Sequence, residues 1–232
     1  MTAWRVVEAQ HHVSTRKLVS SAEEQELLEE LLERSKPPAV APAQLHYLLT
    51  TPFRYPPLRH GSRFGSRHET GVWYGAQQVK TALSEIAYYR FVFLEGTSAN
   101  LGTLTTQLTA FSVAVRSSDA VDLTRPPFDQ HRGEISSPTD YASSQALGTA
   151  MREAGVECCF YTSARSADAG TNIAVFSPAV FRRARPRAFE TWQLVSTVTS
   201  VELSKRDYFE RVLYEFPRAM FLVDGSLPSP AA

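Results

Sequence analysis

The 232-residue chain has few cysteines, few lysines, no excess charge of either sign and no long apolar run. Its two cysteines, Cys158 and Cys159, are adjacent, so a disulfide between them would close no useful loop, and two thiols alone do not make a zinc site. Because 24 Lys+Arg balance 24 Asp+Glu, a protein whose main partner is a polyanion such as DNA is not expected. No run approaches the ~18 consecutive apolar residues of a membrane span, and the first residues lack the apolar core of a signal peptide. We therefore expect one large globular domain in the cytoplasm, with no membrane partner and no direct nucleic-acid binding.

The N-terminal part of the chain is acidic. Ser21 and Glu24 fit a capping box in front of a leucine stripe, which predicts an amphipathic helix over residues 20–36. A Pro/Ala-rich spacer follows it. We predict a helical extension over residues 1–38 and a main domain over residues 39–232. The acidic face of this helix is either simply solvated or a surface for a partner or a second copy of the chain.

A long stretch after this helix contains no acidic residue, from Arg34 to His68. Arg54, Arg59 and Arg63 lie in it among prolines and glycines, which predicts loops where the backbone can approach a ligand closely. The planar guanidinium group suits bidentate recognition of phosphate or carboxylate. The stretch is therefore either an anion site or a solvated basic loop.

The rest of the chain mixes strand and helix patterns without a regular β–α–β repeat, which favours an α+β fold over a doubly wound sheet. Helices are predicted at residues 77–91, 141–154 and 206–216. Short strands are predicted at residues 72–74, 91–94, 101–108, 111–115, 120–123, 156–161 and 173–176. The apolar stripe of the first of these helices puts Glu85 on its polar flank, where a glutamate is usually solvated.

Several pieces of the sequence, taken in order, resemble the RES-domain family. They are Pro52-Phe53-Arg54-Tyr55-Pro56-Pro57, Gly61-Ser62-Arg63-Phe64-Gly65, Gly71-Val72-Trp73-Tyr74-Gly75-Ala76, Thr81-Ala82-Leu83-Ser84-Glu85, Phe160-Tyr161-Thr162-Ser163-Ala164-Arg165 and Asn172-Ile173-Ala174-Val175-Phe176. The resemblance covers about residues 44–180. It implies a fold like that of the ADP-ribosyltransferases, a mixed or split β-sheet with flanking helices, and NAD as the substrate.

The resemblance also assigns catalytic residues. The family's arginine, aromatic residue, glutamate and serine fall on Arg63, Tyr74, Glu85 and Ser163. Trp73 is an alternative for the aromatic residue because it is its neighbour, and Ser166 is an alternative for the serine.

The chemistry of NAD cleavage asks for side chains of these types. Breaking the nicotinamide–ribose bond passes through an oxocarbenium-like cation, which a carboxylate such as Glu85 stabilises. An arginine such as Arg63 offers a planar donor fork for the pyrophosphate, and Tyr74 suits stacking on the nicotinamide ring. The residues that we expect to bind NAD are Arg63, Tyr74, Ser163, Arg54 and Arg59. NAD is here a substrate, and neither a metal nor a resident cofactor is expected.

The function implied by the resemblance is that of a toxin in a toxin–antitoxin pair. Such a protein degrades NAD by hydrolysis or phosphorolysis and is silenced by an Xre-type antitoxin that covers its active site. A homodimer is a further expected assembly. One alternative is transfer of ADP-ribose to a protein target. An alternative of another class is a non-enzymatic module whose arginines at residues 54–67 and 182–187 bind nucleic acid or an acidic protein.

Overall fold

The computed structural model describes residues 1–9, 15, 18–38, 44–57 and 59–229. The strands and helices, in chain order, are β1 (Thr2–Glu8), α1 (Ala22–Ser35), α2 (Tyr47–Arg54), β2 (Trp73–Ala76), α3 (Val79–Glu95), β3 (Leu104–Ala114), β4 (Ala120–Asp122), α4 (Arg132–Ile135), α5 (Ala142–Glu153), β5 (Cys158–Thr162), β6 (Thr171–Val175), β7 (Phe189–Ser196), β8 (Ser200–Lys205) and β9 (Leu213–Pro217). Short 3-10 turns lie at residues 129–131, 178–180 and 218–221.

The strands form one nine-stranded sheet in the order β4-β5-β6-β2-β1-β3-β7-β8-β9. The β4–β5 pair is parallel, and all other neighbours are antiparallel. The α+β prediction, a mixed sheet with flanking helices, is confirmed. No helix in the described ranges is both long enough and apolar enough to cross a membrane.

The sheet is nearly split between β1 and β2. β1 pairs with β3 along its whole length, whereas its pairing with β2 is limited to one position, Trp4 opposite Ala76. Beyond that position no backbone pairing joins the two strands. A side-chain hydrogen bond links them instead, in which Arg5 Nη1 donates to the carbonyl oxygen of Tyr74 at 2.9 Å. This opening is where the candidate site lies.

The position of β1 corrects one expectation. We expected residues 1–38 to form a helical extension, but Thr2–Glu8 is a strand in the middle of the sheet. Ala3 and Val6 are buried there, because Ala3 belongs to the apolar cluster that includes residues of α2 and Val6 to the one that includes residues of α3. The helix itself is confirmed as α1, with Ser21 as its N-cap. The predicted boundary after residue 38 stays a prediction, since residues 39–43 lie outside the described ranges.

Helix α3 packs across the opening, and its buried side chains form part of the hydrophobic core. Its buried side chains are Thr81, Ala82, Leu83, Ser84, Ala87, Tyr88 and Phe91. The predicted helix over residues 77–91 is therefore confirmed, and it continues to Glu95. The predicted strand at residues 91–94 is wrong, because burial of Phe91 against Phe221 favours continuation of the helix over a separate strand.

Other predictions are confirmed in kind, with two exceptions. Helix α5 ends before Gly155, whose φ is +75°. A glycine with positive φ often terminates a helix. The two strands predicted over residues 101–115 are one, β3. The predicted helix at residues 206–216 is wrong, because Leu213–Pro217 pairs with β8 as an antiparallel strand.

Candidate active site

A cavity of about 250 Å³ occupies the opening between β1, β2 and α3. Its lining residues are Arg5, Val6, Ser62, Arg63, Tyr74, Gly75, Ala82, Glu85, Ile86, Tyr89, Tyr141, Tyr161 and Asn172. Three of the four predicted catalytic residues, Arg63, Tyr74 and Glu85, therefore share one cavity. They come from a loop, a strand and a helix that follow one another along the chain.

The Glu85 carboxylate is held by two donors. Its Oε1 accepts a hydrogen bond from Ser163 Oγ at 2.6 Å and another from Asn172 Nδ2 at 2.7 Å. Both donors are almost fully buried, and Glu85 itself is half-buried. Hydrogen bonds to a charged acceptor are stronger than those between neutral groups. Glu85 is therefore fixed in orientation and is not a solvated residue of a helix face.

Ser163 lies behind Glu85 and is not part of the cavity wall. Its hydroxyl oxygen accepts hydrogen bonds from the backbone N–H groups of Arg165 and Ser166, each at 3.1 Å, while its O–H donates to Glu85 Oε1. The loop between β5 and β6 thus aims the hydroxyl at the carboxylate. Ser166, the alternative for the serine, contributes only a backbone donor to this arrangement.

Arg63 is buried in the cavity wall, with 7% of its surface exposed. Its Nη1 donates to the carbonyl oxygen of Ile135 at 3.1 Å, and its guanidinium carbon lies 4.6 Å from the centre of the Tyr141 ring. One hydrogen bond and one ring contact leave most of its five N–H donors for another partner. Arg63 can therefore bind an anion in the cavity.

Tyr74 lines the cavity, whereas Trp73 does not. The Tyr74 hydroxyl accepts the Phe64 backbone N–H at 3.0 Å and lies 2.9 Å from Ser62 Oγ. Burial raises the pKa of Tyr74 to about 12, so its phenol stays neutral. Trp73 is fully buried on the other side, where its indole N–H donates to Leu48. The placement thus favours Tyr74 over Trp73 as the site aromatic.

Two of the predicted NAD-binding arginines do not reach this cavity. Arg54, at the end of α2, pairs with Glu33 of α1 at 2.8 Å and also donates to the Pro37 carbonyl. Arg59 is exposed and is not among the residues that line this cavity. Arg54 is not available to a ligand in this cavity because Glu33 of α1 already supplies its counter-charge.

Sequence reasoning missed several residues of the site. Arg5 and Asn172 contribute charge and a hydrogen bond, and Tyr89, Tyr141 and Tyr161 form much of the aromatic wall. Asn172 was open to prediction, because it lies at the start of a recognised motif. Arg5 lies in a segment whose position in the sheet was not predicted, and no local pattern reveals its role.

The charges of the cavity wall suit two kinds of partner at once. Among the described residues, the charged ones in this wall are two arginines, Arg5 and Arg63, and one carboxylate, Glu85. The arginines can bind an anionic group, and the fixed carboxylate can stabilise a positive charge that develops nearby. In the described part of the chain, no three His, Cys, Asp or Glu side chains are grouped as metal ligands would be.

Comparison with protein-family models assigns the chain to a family. No curated protein matches the chain at a significant level. The family model of the RES domain matches residues 37–196, which is more than half of the chain and includes Arg63, Tyr74, Glu85, Ser163 and Asn172. The chain therefore belongs to the RES-domain family.

Proposed function

We propose that this protein is the toxin of a toxin–antitoxin pair and degrades NAD by cleaving its nicotinamide–ribose bond. Membership of the RES-domain family is consistent with an NAD-related function of the toxin–antitoxin type. The observation that carries the proposal is the Glu85 carboxylate, fixed by Ser163 and Asn172 in a cavity that also contains Arg63 and Tyr74.

The reaction needs a fixed negative charge more than it needs an acid. When the C1′–N bond breaks, its electron pair goes to the pyridinium nitrogen, so nicotinamide leaves as a neutral molecule. The ribose is left as an oxocarbenium-like cation, which Glu85 stabilises by charge. Water then forms the new C1′–O bond, loses a proton and yields ADP-ribose. Inorganic phosphate as the acceptor yields ADP-ribose 1-phosphate instead.

The other site residues bind and position in this proposal. Arg63 donates to a phosphate oxygen of NAD through its free N–H groups. Tyr74, neutral and anchored by Phe64, contacts the flat nicotinamide ring. Ser163 acts through Glu85, because it lies behind that carboxylate and outside the cavity wall. It is thus a positioning residue in this proposal and not an NAD-binding one.

A partner that silences the activity is part of the proposal. A protein that consumes NAD harms the cell that makes it, so an Xre-type antitoxin that covers the cavity is expected. Its test is to produce the chain with and without the protein encoded beside it and to compare NAD loss. Unchanged NAD loss in the presence of the neighbour contradicts this part.

The experiment that tests the activity is incubation of the purified protein with NAD, followed by separation of the products. Free nicotinamide with ADP-ribose indicates water as the acceptor, and ADP-ribose 1-phosphate indicates phosphate. Labelled protein indicates an ADP-ribosyltransferase, which would use the same site residues. Intact NAD, together with binding to nucleic acid or an acidic protein that weakens steeply with salt, supports the non-enzymatic alternative.

A further inference from the structure

A second, larger cavity adjoins the candidate active site. Its volume is about 670 Å³, against about 250 Å³ for the first. The two cavities share four wall residues, Arg5, Ser62, Tyr74 and Tyr89. A ligand longer than the first cavity can therefore continue directly into the second.

The walls of the second cavity are aromatic and nearly uncharged. Four tyrosines contribute to it, Tyr47, Tyr55, Tyr74 and Tyr89, together with the prolines that follow α2. Tyr47 and Tyr55 line only this cavity, and 50% and 38% of their surfaces are exposed. Flat rings of this kind stack on nucleobases, and each such contact contributes about 1–3 kcal/mol of binding free energy.

Arg5 lies at the junction and, among the residues that the structure describes, is the only charged one in the wall of the second cavity. Its hydrogen bond to Tyr74 and its position 5.5 Å from the Trp73 ring leave most of its N–H donors unused. Burial lowers the pKa of Arg5 to about 10. An anion bound beside this partly buried guanidinium group would offset the cost of its burial.

We propose that the second cavity binds the adenosine end of the dinucleotide and that Arg5 binds the pyrophosphate between the two ends. This inference rests on the proposed function, because the nicotinamide riboside must lie beside Glu85 in the first cavity. The order base, phosphates, reacting sugar then matches the order of tyrosines, Arg5 and Glu85 across the two cavities. In this arrangement Arg5 binds the phosphates, a role that we expected Arg54 and Arg59 to share.

The test compares substrates that lack successive parts of NAD. Tyr55→Ala removes one stacking ring of the second cavity and leaves the first cavity intact. We expect its KM for NAD to rise roughly 5- to 100-fold with little change in kcat, while nicotinamide mononucleotide, which has no adenosine, is turned over as by the parent. Equal effects on both substrates, or none on either, overturn the inference.

A second variant tests the junction. Arg5→Gln is expected to weaken the turnover of NAD and of nicotinamide mononucleotide roughly 10- to 100-fold, because both carry phosphate. Turnover of nicotinamide riboside, which carries none, should be unchanged. A matched control is Tyr208→Ala, since Tyr208 is a fully exposed tyrosine outside both cavities. Its kinetics should equal those of the parent.

A binding measurement separates this inference from the proposed function. If the parent releases no nicotinamide from NAD, the proposed function fails. Calorimetry with ADP-ribose then still decides on the second cavity: binding that Tyr55→Ala weakens supports the adenosine site. Absent binding, or binding that Tyr55→Ala leaves unchanged, overturns it.

Discussion

Replacing Ser163 with alanine should lower both stability and turnover, for separate reasons that the structure defines. The hydroxyl accepts two backbone N–H groups and donates to Glu85, and 3% of the residue is exposed. Alanine leaves the buried Arg165 N–H without an acceptor, at a cost of about 1–3 kcal/mol. It also removes one of the two donors that orient the Glu85 carboxylate. A hydrogen bond to a charged group contributes about 1.5–3 kcal/mol, which corresponds to a loss of roughly 10- to 100-fold in kcat.

Two assays separate these effects. Denaturant unfolding gives the change in the free energy of unfolding, and nicotinamide release gives kcat and KM. Because Ser163 does not line the cavity, we expect KM to change little while kcat falls. Ser177→Ala is the matched control, since Ser177 Oγ likewise accepts a backbone N–H, from Ala179, but lies outside the cavity wall. That variant should lose about 1 kcal/mol of stability and no kcat. An unchanged kcat in Ser163→Ala refutes the positioning role.

Two further predictions concern packing and thiol chemistry. An alanine Cβ at Gly148 would lie 2.3 Å from the Phe64 carbonyl oxygen, so Gly148→Ala should lower the free energy of unfolding by about 1–3 kcal/mol. Gly133→Ala is the control, since its Cβ would meet nothing within 4 Å, and equal unfolding midpoints for the two variants contradict the prediction. Burial raises the pKa of Cys158 to about 11 and that of Cys159 further, so both thiols stay protonated at pH 8. A thiol reagent should therefore label them only after unfolding, and rapid labelling of the native protein contradicts this.

Glu85 could be predicted as a site residue because a carboxylate suits NAD cleavage and because it follows Arg63 and Tyr74 in the order typical of the family. Helix periodicity alone places Glu85 on a polar flank, which is typical of a solvated residue. Only its position after Arg63 and Tyr74 in a family-like order predicted a site, and the structure brings the three side chains to one cavity. Pattern and motif were both needed, because a helix flank can face solvent or a cleft.

Local pattern failed where tertiary pairing decides. The apolar spacing over residues 206–216 is compatible with a helix, yet it also contains the alternation of a strand. Partner strand β8 selects the strand: Tyr214 and Phe216 turn inward, while the fully exposed Tyr208 and Phe209 lie in the connection. Strand preferences depend on such neighbours more than on the segment itself.

Arg5 shows why the charge arrangement of the site was only partly predictable. The residues around Arg5 contain no pattern that indicates a site. Arg5 lies at the opening because β1 and β2 pair at a single position. Arg54 shows the reverse, since its motif suggested a phosphate ligand but Glu33 neutralises it. Which arginine meets a ligand depends on contacts between segments that are distant in sequence.

The most direct test of the central claim is the rate of nicotinamide release by Glu85→Gln. Glutamine can still accept from Ser163 and Asn172, so the variant removes the negative charge while it keeps the hydrogen bonds. Two unit charges about 4 Å apart interact by about 4 kcal/mol at an effective dielectric constant of about 20, which predicts a ~1,000-fold lower rate. The exposed Glu153→Gln is the control and should match the parent. Nicotinamide release by Glu85→Gln at the parent's rate would contradict the account.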